Sequence, residues 1–368
     1  MKCKISSLQI MSLTYFIVIA AGMGITSHLL LSNAKEDTCI AIIIGYFIGL
    51  IPFFMNIFIM KKYPDLNLFE KNKKIFGNKL GVIINTIITI SIFYMAIVCF
   101  WDLIDFITSQ YLSETPKFAV ALTFMVPLIY LLTKDFKVLC RTTFILFILS
   151  LILIVLTILG LFWQINLTNL LPILKDGIAP PLKNSIQQVA YNSLSLILLT
   201  IIPLNSIMDK KNLKKRMFLG YTIAILLMLI FMFFVVTILG VPLANIYQYP
   251  EYTLLKKVSL IGFLERMEST LSIRWIFYLF IIITMCLTFV KFFIKDTFNI
   301  KNDNKTNITI IIIAIVVTIL SNFIFPNNTV SEKFINNKLY IFLLIIDFLI
   351  PLIIVIRLKF MKKKENLS

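Results

Sequence analysis

Two glycines, two positions apart, interrupt the first apolar segment of the sequence. The run AAGMGIT at 20–26 lies within the apolar residues 8–31. Glycines weaken a membrane helix, and an unwound turn frees backbone groups and helix ends that can hold the carboxylate of a small ligand. Small residues also allow neighbouring helices to pack closely. The run therefore predicts either a tight helix contact or a binding turn formed by Gly22, Met23, Gly24 and Ile25.

A second polar set lies in the apolar segment 188–208. Asn192, Ser193 and Ser195 could satisfy an opened backbone or touch a ligand, and they could equally form ordinary hydrogen bonds between helices. Tyr191 beside them is a further candidate for ligand binding. The segment contains no glycine, and Pro203 lies nearer its end. A break matching the one in the first segment is therefore expected near Asn192, at a position the residue types do not fix.

Charged side chains within apolar segments form the third set. Such charges are costly inside a membrane and are functional candidates by default. The acids are Asp102 and Asp105 on one face of the third segment, and Asp347 in the last. Together with Arg274 and the lone His28, Asp102 and Asp105 predict a charge network that closes the outer face. The alternative is that these groups lie near the lipid headgroups or in a wet vestibule.

Enzymatic and metal chemistry find little support. One histidine leaves no metal cluster, and the five cysteines are scattered without CxxC spacing. The sequence has no phosphate loop, no GxSxG and no HExxH. We therefore predict no enzymatic activity, no metal and no cofactor.

The composition is that of a membrane protein. The 368 residues are 59% hydrophobic and only 14% charged, with a mean hydropathy of +0.94, whereas about a quarter of the residues in a soluble domain are charged. A membrane helix needs about 20 mostly apolar residues. We predict an all-α integral membrane protein, one polytopic domain over 1–368, with ten transmembrane helices. The predicted spans are 8–31, 39–60, 80–109, 117–133, 142–162, 188–208, 217–240, 269–290, 308–325 and 339–358.

The distribution of charge predicts the orientation. With the N-terminus inside, 25 of the 35 Lys and Arg residues fall in inside segments, as the positive-inside rule requires. Both termini are then cytoplasmic. The same clustering between apolar runs explains the net charge of +17 without a nucleic-acid partner.

Two connections are expected to be structured. Segment 61–79 mixes Lys with apolar residues and is predicted to lie along the inner surface. Segment 251–268 places Leu254, Val258 and further apolar residues at helical spacing, which predicts an amphipathic helix capping the outer face.

Short motifs in a fixed order resemble a known family. They are ISSLQ at 5–9, AGMGI at 21–25, YP at 63–64, LFE at 68–70, ETP at 114–116, NLLPIL at 169–174 and GFLERME at 262–268. Their order and spacing resemble the B subunits of the nutrient germinant receptors of endospore-forming bacteria, a branch of the amino acid–polyamine–organocation superfamily. The likeness runs from residue 5 to about 358.

The resemblance implies a LeuT-like fold of two inverted five-helix repeats, 8–162 and 188–358. It implies a small germinant, usually an amino acid, bound in mid-membrane by the backbone of 22–25. By position, Met95, Leu194, Ile282 and Cys286 would shape the pocket. Relatives often carry a Phe-Gly-Glu-like stretch in the sixth span, where this chain has Asn192-Ser193-Leu194-Ser195.

The resemblance also implies two partners, a membrane A subunit and a lipoprotein C subunit, in the inner membrane of the spore. The alternative function is a secondary amino acid transporter, because the same fold serves both roles. Ion coupling would need a cation site, for which Thr284 and Thr288 are the local candidates.

Overall fold

The described part of the chain consists of α-helices, with short 3-10 segments in several of the connections. This computed structural model describes residues 4–20, 22, 24–258, 268–300, 302–325, 330–331 and 339–365. Their main helices are α1 (Ser7–Ala20), α2 (Ile25–Ala34), α3 (Thr38–Lys61), α4 (Leu68–Phe76), α5 (Asn78–Gln110), α6 (Lys117–Thr133), α7 (Phe136–Leu161), α8 (Ala179–Asn192), α9 (Leu213–Phe234), α10 (Val241–Ala244), α11 (Pro250–Leu255), α12 (Glu268–Thr297) and α13 (Asp303–Ile324). The last helix, α14, comprises Tyr340–Leu343, a π-helical turn at Leu344–Leu349, and Ile350–Glu365.

Seven helical stretches of the described residues are long and apolar enough to cross a membrane. They are Thr26–Lys61, Asn78–Gln110, Phe136–Gln164, Lys210–Leu239, Glu268–Thr297, Asn304–Ile324 and Tyr340–Met361. α1 and α6 are shorter apolar helices. The remaining predicted span, 188–208, is not a continuous α-helix in the structure, so the total of ten crossings stays a prediction.

The outer faces of the helices are as apolar as their buried faces. On α6, Ala121 and Met125 are buried, whereas Leu122 and Val126 are exposed. Contiguous exposed apolar surface of this kind is rare on soluble proteins. It fits the hydrocarbon of a bilayer, so the protein is a multi-pass membrane protein.

α1 occupies the centre of the bundle. Every residue from Ile10 to Ala20 is buried, and the helix packs against α7, α9 and α12. Its N-terminal extension is also held: the Ile5 N–H donates to the Ser206 carbonyl at 2.8 Å, and the Met208 N–H donates to the Ile5 carbonyl at 2.9 Å. A break at the end of α1 is therefore a break at the middle of the molecule.

α5 is the long third span that the sequence predicts. Its 33 residues extend about 50 Å at 1.5 Å per residue, against a hydrocarbon thickness of about 30 Å. The helix therefore reaches beyond the membrane core, and its last two turns carry Asp102 and Asp105 to the predicted outer side.

α4 forms within the connection predicted to lie on the inner surface. Asn67 begins it with a capping box, in which Asn67 and Glu70 satisfy each other's backbone N–H groups. Lys71 is fully buried, and its Nζ donates to the carbonyls of Ile59 at 2.8 Å and Met60 at 3.2 Å. Lys71 thereby caps the end of α3, and burial lowers its pKa to about 8.

α11 begins the connection predicted to cap the outer face. Leu254 and Val258 are buried, as the apolar spacing predicts. The rest of the predicted amphipathic helix, together with the GFLERM portion of the 262–268 motif, lies outside the described residues.

Candidate functional site

The predicted unwound turn interrupts the first span. α1 ends at Ala20, α2 begins at Ile25, and Gly24 between them has a φ of +77°. Residues other than glycine rarely adopt this backbone conformation. A Cβ on Gly24 would overlap the Trp275 ring and lie 2.9 Å from Asp102 Oδ2. Both conformation and space therefore require glycine here. Met23 and the side chain of Ile25, which complete the predicted turn, lie outside the described atoms.

Span six is broken where it faces this turn. α8 ends at Asn192, and the chain continues as a 3-10 helix from Leu194 to Ile201. Its backbone is extended at Ile202. The break expected near Asn192 is thus located at the junction with Ser193, without the help of a glycine.

Side chains of span six satisfy free backbone carbonyls at the end of α1. The last carbonyls of a helix have no intrahelical partner. Here Asn192 Nδ2 donates to the Val18 carbonyl at 2.6 Å, and Ser195 Oγ lies 3.3 Å from the Ile17 carbonyl. A Cβ on Gly22 would overlap the Asn192 amide. The polar residues of span six therefore cap α1, and Gly22 admits the side chain that does so. The two glycines thus have different roles: Gly22 allows close packing between helices, and Gly24 forms the unwound turn.

The apolar residues carried over by resemblance are all buried around these breaks. Met95 lies on α5, Leu194 opens the 3-10 segment, and Ile282 and Cys286 lie on α12. α12 packs against both α5 and the 3-10 segment. Tyr191, at the end of α8, is also buried. The structure therefore places this set on mutually packed elements beside the α1–α2 turn, whereas its role in binding stays a prediction.

Asp105 belongs to a polar cluster on the predicted outer side. Its Oδ1 lies 2.7 Å from Lys117 Nζ at the start of α6. Its Oδ2 accepts from the Tyr249 hydroxyl at 2.8 Å and from Gln248 Nε2 at 3.2 Å. Asp105 is 2% exposed, so these donors replace water. Within the described residues the cation facing Asp105 is Lys117, a residue the predicted network did not include.

Arg274 of the predicted network contacts an aromatic ring. Its guanidinium carbon lies 3.8 Å from the centroid of the Phe231 ring, a cation–π contact. It also interacts electrostatically with Tyr278, Tyr15 and Glu251 on α11. His28 is one turn beyond Gly24 on α2, and its Nδ1 is buried without a hydrogen-bond partner in the described structure. Asp102 interacts electrostatically with both Asp105 and Glu251, so the groups around Asp105 and those around Arg274 adjoin at Asp102.

Asp102 and Arg274 both lie near a small cavity beside the Gly24 turn. The cavity is lined by Gly24, Glu251 and Arg274, among others. Asp102 Oδ1 and Arg274 Nη1 are buried and without hydrogen-bond partners among the described residues. Unpaired buried groups of this kind are costly unless they meet a ligand, an ion or water. A cationic group that lines the cavity and an anionic group beside it are therefore both able to bind a further partner next to the broken helix.

Glu251 and Trp275 are site residues that the sequence alone did not single out as such. Glu251 is one of several charges in a connecting segment, and only the packing of α11 buries it. Trp275 contacts Phe106, with ring centroids 4.0 Å apart, and Tyr249, at 5.0 Å. Its proximity to Gly24 depends on how α12 packs, which no local pattern encodes.

A helical bundle with two facing broken helices at its centre is the architecture of LeuT-like permeases. The structure of Mhp1, a nucleobase-cation-symport-1 family transporter in a closed conformation with bromovinylhydantoin bound, is similar, with a TM-score of 0.57 over 91% of this chain and 75% of that chain. Sequence identity is 13%. At that identity the likeness shows the fold, and what Mhp1 binds is not transferred.

Sequence comparisons define the family. The family described as Spore germination protein matches residues 4–328, and the chain belongs to it. Spore germination protein A2 of Bacillus subtilis (strain 168) is 27% identical over 317 residues, 85% of each chain. Spore germination protein KB of the same organism is 26% identical over 271 residues, 73% of this chain and 71% of that one.

Proposed function

We propose that this protein is the membrane subunit of a spore germinant receptor. It binds a small nutrient, an amino acid, at the facing breaks of the first and sixth spans and signals to partner subunits to start germination. The observation that carries the proposal is the Gly24 turn, a break with a φ that favours glycine, in a member of the spore germination protein family. The proposed location of the protein is the inner membrane of the spore, with both termini in the cytoplasm.

The backbone at the break supplies the polar part of the proposed site. Helix α2 starts at Ile25 with Gly24 as its N-cap, and glycine offers no side chain to cap the free N–H groups of the first turn. These groups and the helix dipole favour a carboxylate. The apolar side chains of Met95, Leu194 and Ile282 would then select the size of the ligand rather than its charge.

Signalling follows from a difference in affinity between two states. A ligand shifts a conformational equilibrium only by the amount that it binds one state better than the other. The α1–α2 and α8 breaks meet at the centre of the bundle, so a ligand seated there contacts both halves. The proposed partners, a membrane A subunit and a lipoprotein C subunit, would receive the resulting shift.

A secondary amino acid transporter is the second candidate, and the fold shared with Mhp1 favours it. Transport would require the ligand to be released on the opposite side and, if coupled, a cation site. Thr284 and Thr288 remain the local candidates for such a site, and the Thr284 hydroxyl donates to the Phe280 carbonyl of its own helix at 2.7 Å.

Deletion of the gene separates the two functions. Spores that lack the protein are challenged with single amino acids, and uptake of the same amino acids is measured in growing cells. The receptor proposal predicts that germination is lost for at least one amino acid while uptake is unchanged. Normal germination on every nutrient, with uptake lost, would overturn it and support the transporter.

A further inference from the structure

A carboxylate of the protein itself lies at the N-terminus of α2. The Glu251 carboxyl interacts with the Ser27 side chain and the Gly24 backbone. Gly24 is the N-cap of α2, and Ser27 lies in its first turn. Glu251 comes from α11, a short helix outside the predicted spans, and is 7% exposed. An acid from a connecting segment thus reaches into the break of the first span.

A buried cation faces the same place. Arg274 on α12 lines the cavity together with Gly24 and Glu251 and is 2% exposed. Its charge interacts with Glu251, yet its Nη1 has no hydrogen-bond partner within the described structure. A guanidinium has five donors in a fork that matches a carboxylate. The site therefore has more donor capacity for carboxylate than Glu251 uses.

We propose that Glu251 is a tethered competitor that occupies the carboxylate position of the ligand, and that a ligand carboxylate displaces it and releases α11. This inference rests on the proposed function and describes how the proposed binding site is regulated. Two carboxylates at one helix end repel each other, so the entry of one expels the other. α11 packs against α12 and against the end of the seventh span, so its release changes the contacts of two spans at once.

The other charges at the site define the ligand more closely. Asp102 on α5 lies across the Gly24 turn, with Oδ1 unpaired in the described structure. With Arg274 taking a carboxylate, Asp102 is placed to take an ammonium group. The ligand class is therefore a small zwitterion, an α-amino acid whose two charged groups lie a few atoms apart.

Hydrogen exchange of the segment 250–258 tests the proposal in the full chain, purified into lipid nanodiscs. The probes are propionate, L-alanine and, as a matched compound without a carboxylate, ethylamine. In the wild-type protein propionate and L-alanine should raise exchange of 250–258, whereas ethylamine should leave it unchanged. In Arg274→Gln the effect of propionate should be lost.

Removing the tethered charge gives the sharper measurement. In Glu251→Gln, exchange of 250–258 should be raised without any probe. The propionate concentration for half-maximal binding to Glu251→Gln should be at least about tenfold lower than for the wild type, because a tethered group competes at a high effective concentration. Glu251→Asp, which keeps the charge on a shorter arm, should also raise basal exchange. Glu114→Gln, a change of an exposed acid on the predicted outer side, is the control and should behave as wild type.

Two results would overturn the proposal. One is wild-type exchange in both Glu251 variants, provided that their melting temperatures show a folded protein. The other is an equal response to ethylamine and propionate. These measurements use purified protein and no spores. A normal germination phenotype of the deletion strain would therefore overturn the proposed function without changing the result for Glu251.

Discussion

Replacing Gly24 by alanine tests the turn at the centre of the site. An added Cβ meets two penalties in the structure. The φ of +77° costs a non-glycine residue about 1–2 kcal/mol. The Cβ would also overlap the Trp275 ring and lie 2.9 Å from Asp102 Oδ2. Trp275 is held between Phe106 and Tyr249, so relief requires a shift of a packed core, typically about 1–3 kcal/mol.

The chain provides a control, a second glycine with the same backbone conformation. Gly177 also has a φ of +77°, but a Cβ there would have nothing within 4 Å. Gly177→Ala therefore carries only the conformational cost, about 1–2 kcal/mol, and it lies far along the chain from the break. The difference between the two variants isolates the steric contact with Trp275. At 1.4 kcal/mol per factor of ten, that contact alone should shift the response to a germinant by about 5- to 150-fold.

The assay is a germination dose response. Spores with Gly24→Ala, Gly177→Ala and the wild-type protein are exposed to increasing concentrations of the amino acid whose response the deletion removes. Gly24→Ala should require at least about tenfold more amino acid at equal protein levels in the membrane, and Gly177→Ala should remain within a few-fold of wild type. Equal dose responses for all three, or equal losses for both variants, would refute the reasoning.

Two further predictions concern residues around the breaks and their surroundings. Asn192→Ala should lower the free energy of unfolding by about 1–3 kcal/mol, because the Val18 carbonyl loses its buried donor; an unchanged thermal melt would contradict this. Lys71→Met should destabilise the protein by a similar amount, since the carbonyls at the end of α3 lose their donor, whereas Lys79→Met, at an exposed position, should not.

The sequence predicted the elements that carry a local signal. Gly22 and Gly24 are visible as a pair in an apolar run, and the first span is broken there. The long apolar run predicted over 80–109 is a single 33-residue helix, Asn78–Gln110. These features depend on residue type and hydrophobic length, which the sequence displays directly.

The features that escaped prediction depend on tertiary contact. A break in span six was expected, but its exact position was not, because hydrogen bonds from Asn192 and Ser195 to α1 stabilise it rather than a glycine. Lys117 follows the end of α5 by a few residues and folds back onto Asp105, but nothing in its own segment distinguishes it from other loop lysines. Glu251 is buried only because α11 packs against α12 and the end of the seventh span.

Direct binding tests the central claim. The amino acid whose germination response is lost on deletion is titrated, in radiolabelled form, against the purified chain in nanodiscs, with wild-type and Gly24→Leu proteins compared at equal folded fraction. We expect saturable binding to the wild type and none to Gly24→Leu. Saturable binding of equal affinity to both proteins would show that the ligand does not bind at the break of the first span.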